Sequence, residues 1–161
     1  MAVLPQTTRF FGAGTSECLY LPAVAAANGT PTRAEMTAGT VLTAEIADWS
    51  GWTVTGAEIV TPDLGSTFDS KIPGKTSIDD SSITFHGDIG GADVRDVLPR
   101  GTGGFVMIMD GGDVAARPAD LFPIRVRSVG KLRPVDGGSN FRITISFSIT
   151  REPFEDIPIP A

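Results

Sequence analysis

Residues 141–150 alternate without a break. Phe141, Ile143, Ile145, Phe147 and Ile149 are apolar; Arg142, Thr144, Ser146, Ser148 and Thr150 are polar. Successive side chains on a strand point to opposite faces, so this run specifies a β-strand with one dry and one wet face. A helix would scatter the same residues around its axis. The chain must therefore build a sheet that covers a core on one side and meets water on the other. Other segments extend that sheet. Residues 17–21 form a short opening strand. Residues 81–89 alternate Ile83, Phe85 and Ile89 with Ser82, Thr84 and His86. The run 105–109 is continuously apolar and suits a strand covered on both faces. Residues 122–129 set Ile124 and Val126 against Arg125 and Arg127. Residues 41–49 and 52–61 read as a hairpin about Ser50-Gly51. The one helix expected is 92–98, where Val94, Val97 and Leu98 make one stripe before Pro99 and Gly101 stop it. Asp110-Gly111-Gly112-Asp113 and Asp136-Gly137-Gly138-Ser139 read as turns.

The count is about seven strands and one short flanking helix, which fits a mainly β chain folded as a β-sandwich or small barrel. At 161 residues the chain is long enough for one domain, 1–161, with a core of its own. Nineteen glycines and twelve prolines suit the many turns of such a fold. No apolar run reaches the ~18 residues of a membrane-spanning helix, so no membrane insertion is expected. Residues 18–27 loosely imitate a secretory leader, but Glu17 abuts the stretch, Pro22 interrupts it, and Arg9 alone is a weak basic region. A strand followed by an Ala-rich loop is the simpler reading. With 19 acidic and 13 basic residues the net charge is −6, the wrong sign for gripping duplex DNA.

The residues that carry chemistry are sparse. One cysteine, Cys18, excludes an internal disulfide, and one histidine, His86, excludes a site built on several imidazoles. The pairs Asp79-Asp80 and Glu155-Asp156 are adjacent and point to opposite faces in an extended chain. Asp110-Gly111-Gly112-Asp113 lacks the ligand spacing of a calcium loop. The glycines at 101–104 follow a helix, the reverse of a phosphate cradle. No catalytic residue, cofactor or metal site is expected. Trp49 and Trp52 flank a turn and invite comparison with a sugar-binding platform; cross-strand packing is the simpler reading. Two segments look unfit for a self-contained domain. Residues 62–77 form a long loop without periodicity, carrying Asp69, Lys71 and Lys75. Residues 153–161 form a proline-rich arm that holds out Phe154, Ile157 and Ile159.

Four segments in order resemble the tail tube protein (major tail protein) family of long, non-contractile-tailed phages. They are Gly12-Ala13-Gly14-Thr15 before the opening strand, and residues 75–98, a polar loop, alternating strand, Gly-Gly and short helix. Residues 122–131, ending Ser128-Val129-Gly130-Lys131, come next, and then the last strand, 142–150, with Arg151-Glu152-Pro153. The likeness covers about half of the chain, and it is carried by order and spacing together. Residues 23–40 have no clear counterpart.

The resemblance implies a β-sandwich flanked by a helix, ring-shaped homo-hexamers whose inner sheets join into a barrel, and rings stacked into a hollow tube for the genome. It implies a virion protein of the phage tail, made and assembled in the host cytoplasm. Its partners would be its own copies and the tape measure, tail tip and terminator proteins, with double-stranded DNA passing unheld. An acidic chain suits such a conduit, because a negative wall repels phosphates. Glu45, Asp48 and Glu58 are candidates for the wall of the bore; their other possible place is the outer surface, as solubility charges. Asp69, Lys71, Lys75, Phe154, Ile157 and Ile159 are candidates for contacts between subunits or rings. Two other readings stay open: a monomeric β-sandwich module binding carbohydrate or protein through the tryptophan pair, and a tail-terminator or head-completion ring of the same fold family.

Overall fold

The structure is a computed structural model that describes residues 3–135 and 137–161. Asp136, in the last expected turn, lies outside the described residues. The chain is mainly β, as its alternation requires. In order it forms β1 Glu17–Leu21, α1 Arg33–Ala38, β2 Thr40–Val41, a 3-10 turn Thr43–Glu45, β3 Ile46–Ser50, β4 Val54–Thr61 and β5 Ser70–Ile78. Then follow β6 Ser81–His86, α2 Val94–Val97, β7 Gly103–Met109, β8 Pro118–Leu132, β9 Arg142–Ile149 and β10 Phe154–Pro158. Ten strands among the described residues exceed the expected count of about seven. Two compact units emerge: the chain up to Glu45 with Gly103–Ile124 and everything from Thr150, and Ile46–Thr102 with Arg125–Ile149.

The first unit has strand order β2-β1-β7-β8, with β10 pairing the first part of β8. β1 and β7 are antiparallel, with Leu19 opposite Met107 and Leu21 opposite Phe105. One face of this sheet buries Leu19, Leu21, Met107, Met109, Ala119 and Leu121 with Ile157 and Ile159 of the C-terminal segment and Met36 of α1. The apolar run at 105–109 is covered on both faces, as its composition requires: Val106 to Met109 are all buried.

Here the arm expectation is corrected. Residues 153–161 are not held out. β10 pairs with β8, Ile157 opposite Ala119, and Ile157 and Ile159 are 7% and 2% exposed. Beyond the strand, the Ile159 N–H donates to the Arg117 carbonyl at 2.9 Å and the Ala116 N–H donates to the Ile159 carbonyl at 2.9 Å. The Arg33 guanidinium reaches the Pro160 carbonyl at 2.6 Å while it pairs with Asp113. Gly29 lets Phe154 lie flat on the chain: a Cβ there would stand 2.2 Å from the ring, and φ is +73°. The prolines are compatible because this is an edge strand, where a missing N–H faces outward. Burial of each isoleucine contributes about 1.5–3 kcal/mol, so the segment closes the subunit's own core.

The second unit is built on β6 and β9. Ile83 faces Ile145, Phe85 faces Ile143, and Ser81 faces Phe147. Those apolar residues are at most 2% exposed, with Val94 and Leu98 from around α2 also buried. Phe141 and Ile149, at the ends of the run, are half-buried instead. Ile89 lies past the end of β6 and is fully exposed, so the alternation stops at His86.

The expected hairpin of 41–49 with 52–61 is also corrected. β3 pairs with β6, Trp49 opposite Ile83, and β4 pairs with β5. Between them Gly51 and Trp52 both have positive φ, +81° and +65°, which turns the chain out of a hairpin path. Gly51 sits against β6, where a Cβ would be 2.6 Å from the Asp80 carbonyl. The left-handed Trp52 is held by its N–H to Ser81 Oγ at 3.2 Å and its Nε1 to the Ser82 carbonyl at 3.2 Å.

Two helices form among the described residues. α2 is a single turn within the expected 92–98. α1 was not expected; it opens on a capping box in which Thr32 and Glu35 satisfy each other's backbone N–H groups.

The C-terminal segment should therefore matter to the isolated subunit. Ile159→Ala should cost about 2–5 kcal/mol of stability, read from the urea midpoint of unassembled protein. An unchanged midpoint would mean the segment is not part of this core.

Candidate assembly surfaces

The residues at 62–77 are not one long loop. Ser70–Ile78 is strand β5, in register with β4 from Val54 opposite Ile78 to Thr61 opposite Ser70. Only residues 62–69 connect them. Pro73 and Gly74 hid the strand; Pro73 sits at a register shift, opposite Glu58, where a missing N–H is tolerated. Among the described residues the hairpin is a sheet of two strands with no third. Its apolar side chains stay exposed: Ile59 and Ile72, which face each other, are both 51% exposed, and Val60 is 49%. Leu64 and Phe68 in the connection are more exposed still. A two-stranded ribbon is marginal by itself, and its outer edges present unpaired N–H and C=O groups ready to pair with another chain.

Charged candidates cluster on this ribbon. Lys71 pairs with Glu58 across the strands at 2.6 Å, both well exposed, so Glu58 is not a free acid. Asp69 and Lys75 are exposed on the connection and on β5. Glu45 is exposed at the end of the 3-10 turn. Asp48 lies on β3 opposite Thr84 and lines a groove of about 430 Å³ with Arg133, Asn140 and Arg142. Phe154 is half-buried, and Ile157 and Ile159 belong to the first unit's core, so none of the three is displayed as the sequence suggested.

The tryptophan platform does not form. Trp52 packs on Phe147 with ring centroids 5.3 Å apart and its indole N–H donates to a backbone carbonyl. Trp49 is 40% exposed on β3. The residues that could do chemistry are engaged otherwise. Cys18 is 1% exposed, and burial pushes its thiol up to about 12, far from a reactive thiolate. His86 Nδ1 shares a hydrogen bond with Asn140 Nδ2 at 2.6 Å, and Arg142 Nε donates to Asn140 Oδ1 at 2.9 Å. Among the described residues no three His, Cys, Asp or Glu side chains converge on a metal position.

A second groove, of about 530 Å³, lies in the first unit between Thr8, Phe10, Arg117 and Asp120. Asp120 there is raised above the usual carboxylate range, first by burial and then by Asp156 and Asp110, against the Asp156 N–H that it accepts. In the second unit Asp93, its side chain only 4% exposed, pairs with Arg95. Asp93 caps α2, accepts from Arg95 Nε and Nη2 at 2.7 Å each, and is held at about 2, chiefly by the Arg95 hydrogen bonds.

Two outcomes follow from these groups. Because Asp93 is depressed in the folded state, its stabilisation is complete above the ordinary value of 3.8 and is lost as pH falls toward about 2. Asp93→Asn keeps a capping side chain, so its acid unfolding limb should be flatter than wild type across that interval; parallel limbs in denaturation against pH would show the pairing to be inconsequential. The Cys18 thiol should stay unmodified by maleimide at neutral pH in the folded protein and react only on unfolding. Rapid labelling of folded protein would contradict its burial.

Residues 4–161 match the family model described as Phage tail tube protein. No curated protein matches the chain. Nearly the whole sequence lies within the match, so the chain belongs to the phage tail tube protein family, a structural and not an enzymatic component of the virion tail.

Proposed function

We propose that copies of this chain close into homo-hexameric rings, that the rings stack into a hollow tail tube, and that double-stranded DNA passes through the bore to the host without being held. Assembly takes place in the host cytoplasm, against the tape measure and tail tip at one end and the terminator at the other. The observation that carries this reading is the β4–β5 ribbon: nine residues of β5 and eight of β4, with exposed isoleucines and open backbone edges. A monomer in water would gain nothing from such an element. A neighbouring subunit can bury Ile59, Val60 and Ile72 and pair the open edge. Lys71, Lys75 and Asp69 then set its register, since charges at a contact fix orientation more than they add affinity.

Net charge supports the conduit part. An excess of six negative charges keeps the assembled wall from collecting phosphates. Among the acids first considered for the bore, Glu58 is neutralised by Lys71, which leaves Glu45 and Asp48 as wall candidates.

Replacing Ile59 and Ile72 together by Asp tests the assembly role. Both are exposed in the subunit, so circular dichroism and the melting temperature of unassembled protein should stay close to wild type. Negative-stain electron microscopy should show that wild type forms tubes and the variant does not. Tubes of normal length from the variant would remove the ribbon from the contact.

A further inference from the structure

The two compact units differ in charge. The first holds nine acidic and four basic residues, the second ten acidic and nine basic, so most of the net negative charge belongs to the first. Part of it gathers at the groove of about 530 Å³, where Asp110, Asp120 and Asp156 stand with Thr8 and Phe10. Arg117, the basic residue of the lining, turns its guanidinium to the Gly111 carbonyl. Burial first, and then the charges of Asp156 and Asp110, raise Asp120 above the usual carboxylate range, as befits a groove short of positive charge. Phe10 is 60% exposed beside these acids.

The second unit displays the complement. The end of β8 and the residues after it run Lys131-Leu132-Arg133-Pro134-Val135, and all five are exposed. Among the described residues neither Lys131 nor Arg133 forms an ion pair, although Asp48 lines the same groove as Arg133. Two cations are thus interleaved with two large apolar side chains on one short exposed segment. Other exposed basic residues lack such company: Arg100 lies between Pro99 and Gly101, and Lys75 between Gly74 and Thr76.

We propose that segment 131–135 of one copy docks in the acidic groove of a second copy. The proposal rests on the tube reading above and names one contact by which the copies join. Arg133 and Lys131 meet the three carboxylates, and Leu132 and Val135 cover Phe10, whose ring face also attracts a guanidinium. The groove is within the range of about 300–1,000 Å³ that encloses a ligand of tens of atoms, which is room for a few side chains. The contact is heterologous. A copy that gives its segment to one neighbour still has its groove open to another, so the contact propagates into a closed ring or a stack. Docking also takes two cations off the surface, where they would collect phosphates from passing DNA. A phosphate chain is itself no occupant for a groove lined by three acids.

Charge reversal with rescue tests the contact. Arg133→Asp and Asp110→Arg each alter an exposed side chain, so circular dichroism and melting of the unassembled protein should match wild type. Either reversal alone should lower the yield of tubes tenfold or more, read by sedimentation and negative-stain electron microscopy. The two combined in one chain should restore it. Normal tube yield from either single variant, or a combined variant no better than the singles, would overturn the proposal. Normal tubes that no longer attach another tail protein would give the groove to that protein instead. Should a reversal unfold the chain, a mixture of Arg133→Cys chains with Asp110→Cys chains, oxidised, reads the same contact, because native Cys18 is 1% exposed and stays out of the reaction. A disulfide dimer with one copy of each is expected, and its absence would overturn the docking. Wild-type protein that forms no tubes at all would instead overturn the tube reading on which the proposal rests.

Discussion

The ladder between β6 and β9 is the interaction on which the second unit depends. Its six opposed residue pairs fix the register, and a slip of one residue would turn every isoleucine to water and every hydroxyl to the core. The register holds because it separates two surfaces with different duties. The dry face contributes the unpolar burial that stabilises the unit, through Ile83, Phe85, Ile143, Ile145 and Phe147. The wet face is left free for whatever the assembled protein must meet. β3 joins the outer edge of β6 with a bulge between Ile46 and Asp48, and the second part of β8 joins β9.

Strand edges divide the rest of the chain into finished and unfinished parts. In the first unit, β10 covers one edge of β8, and its prolines and the positive φ of Asp156 make it a poor template for another strand. That edge is closed. The β4–β5 ribbon has the opposite character: it is long, is paired only to itself among the described residues, and leaves Ile59, Val60 and Ile72 exposed beside Glu58 and Lys71. Most proteins suppress such an element. A subunit of a polymer can use it, because the groups left unpaired in one copy are satisfied by the next. Membership of the tail tube family gives that unfinished edge a reason to exist.

What could be read from the sequence followed from whether a segment had a dry side. Strands β1, β6, β7 and β9 were legible because water lies on one face or on none, which writes a period of two or an unbroken apolar run. β5 was not legible, because with both faces wet Ser70, Lys71, Thr76 and Ser77 carry no alternation, and Pro73 with Gly74 mimics a loop. The arm was misread for a related reason. Its three prolines exclude a central strand but not an edge strand, and Ile157 and Ile159, spaced by two, already marked one buried face. α1 carries a single buried apolar residue, Met36, so it has no stripe; its signal was the spacing of Thr32 and Glu35, a capping box. Glu58 and Lys71 were considered for different duties, and only the β4–β5 register shows that they neutralise each other.

The central claim is that the β4–β5 ribbon is incomplete in the subunit and completed by a neighbour. Backbone amide hydrogen exchange of Val54–Thr61 and Ser70–Ile78, compared between unassembled and assembled protein, tests it most directly. The account predicts rapid exchange in the free subunit at amides that point away from the β4–β5 ladder, and strong protection of those same amides on assembly. Exchange in these two strands that is identical in the two states would contradict it.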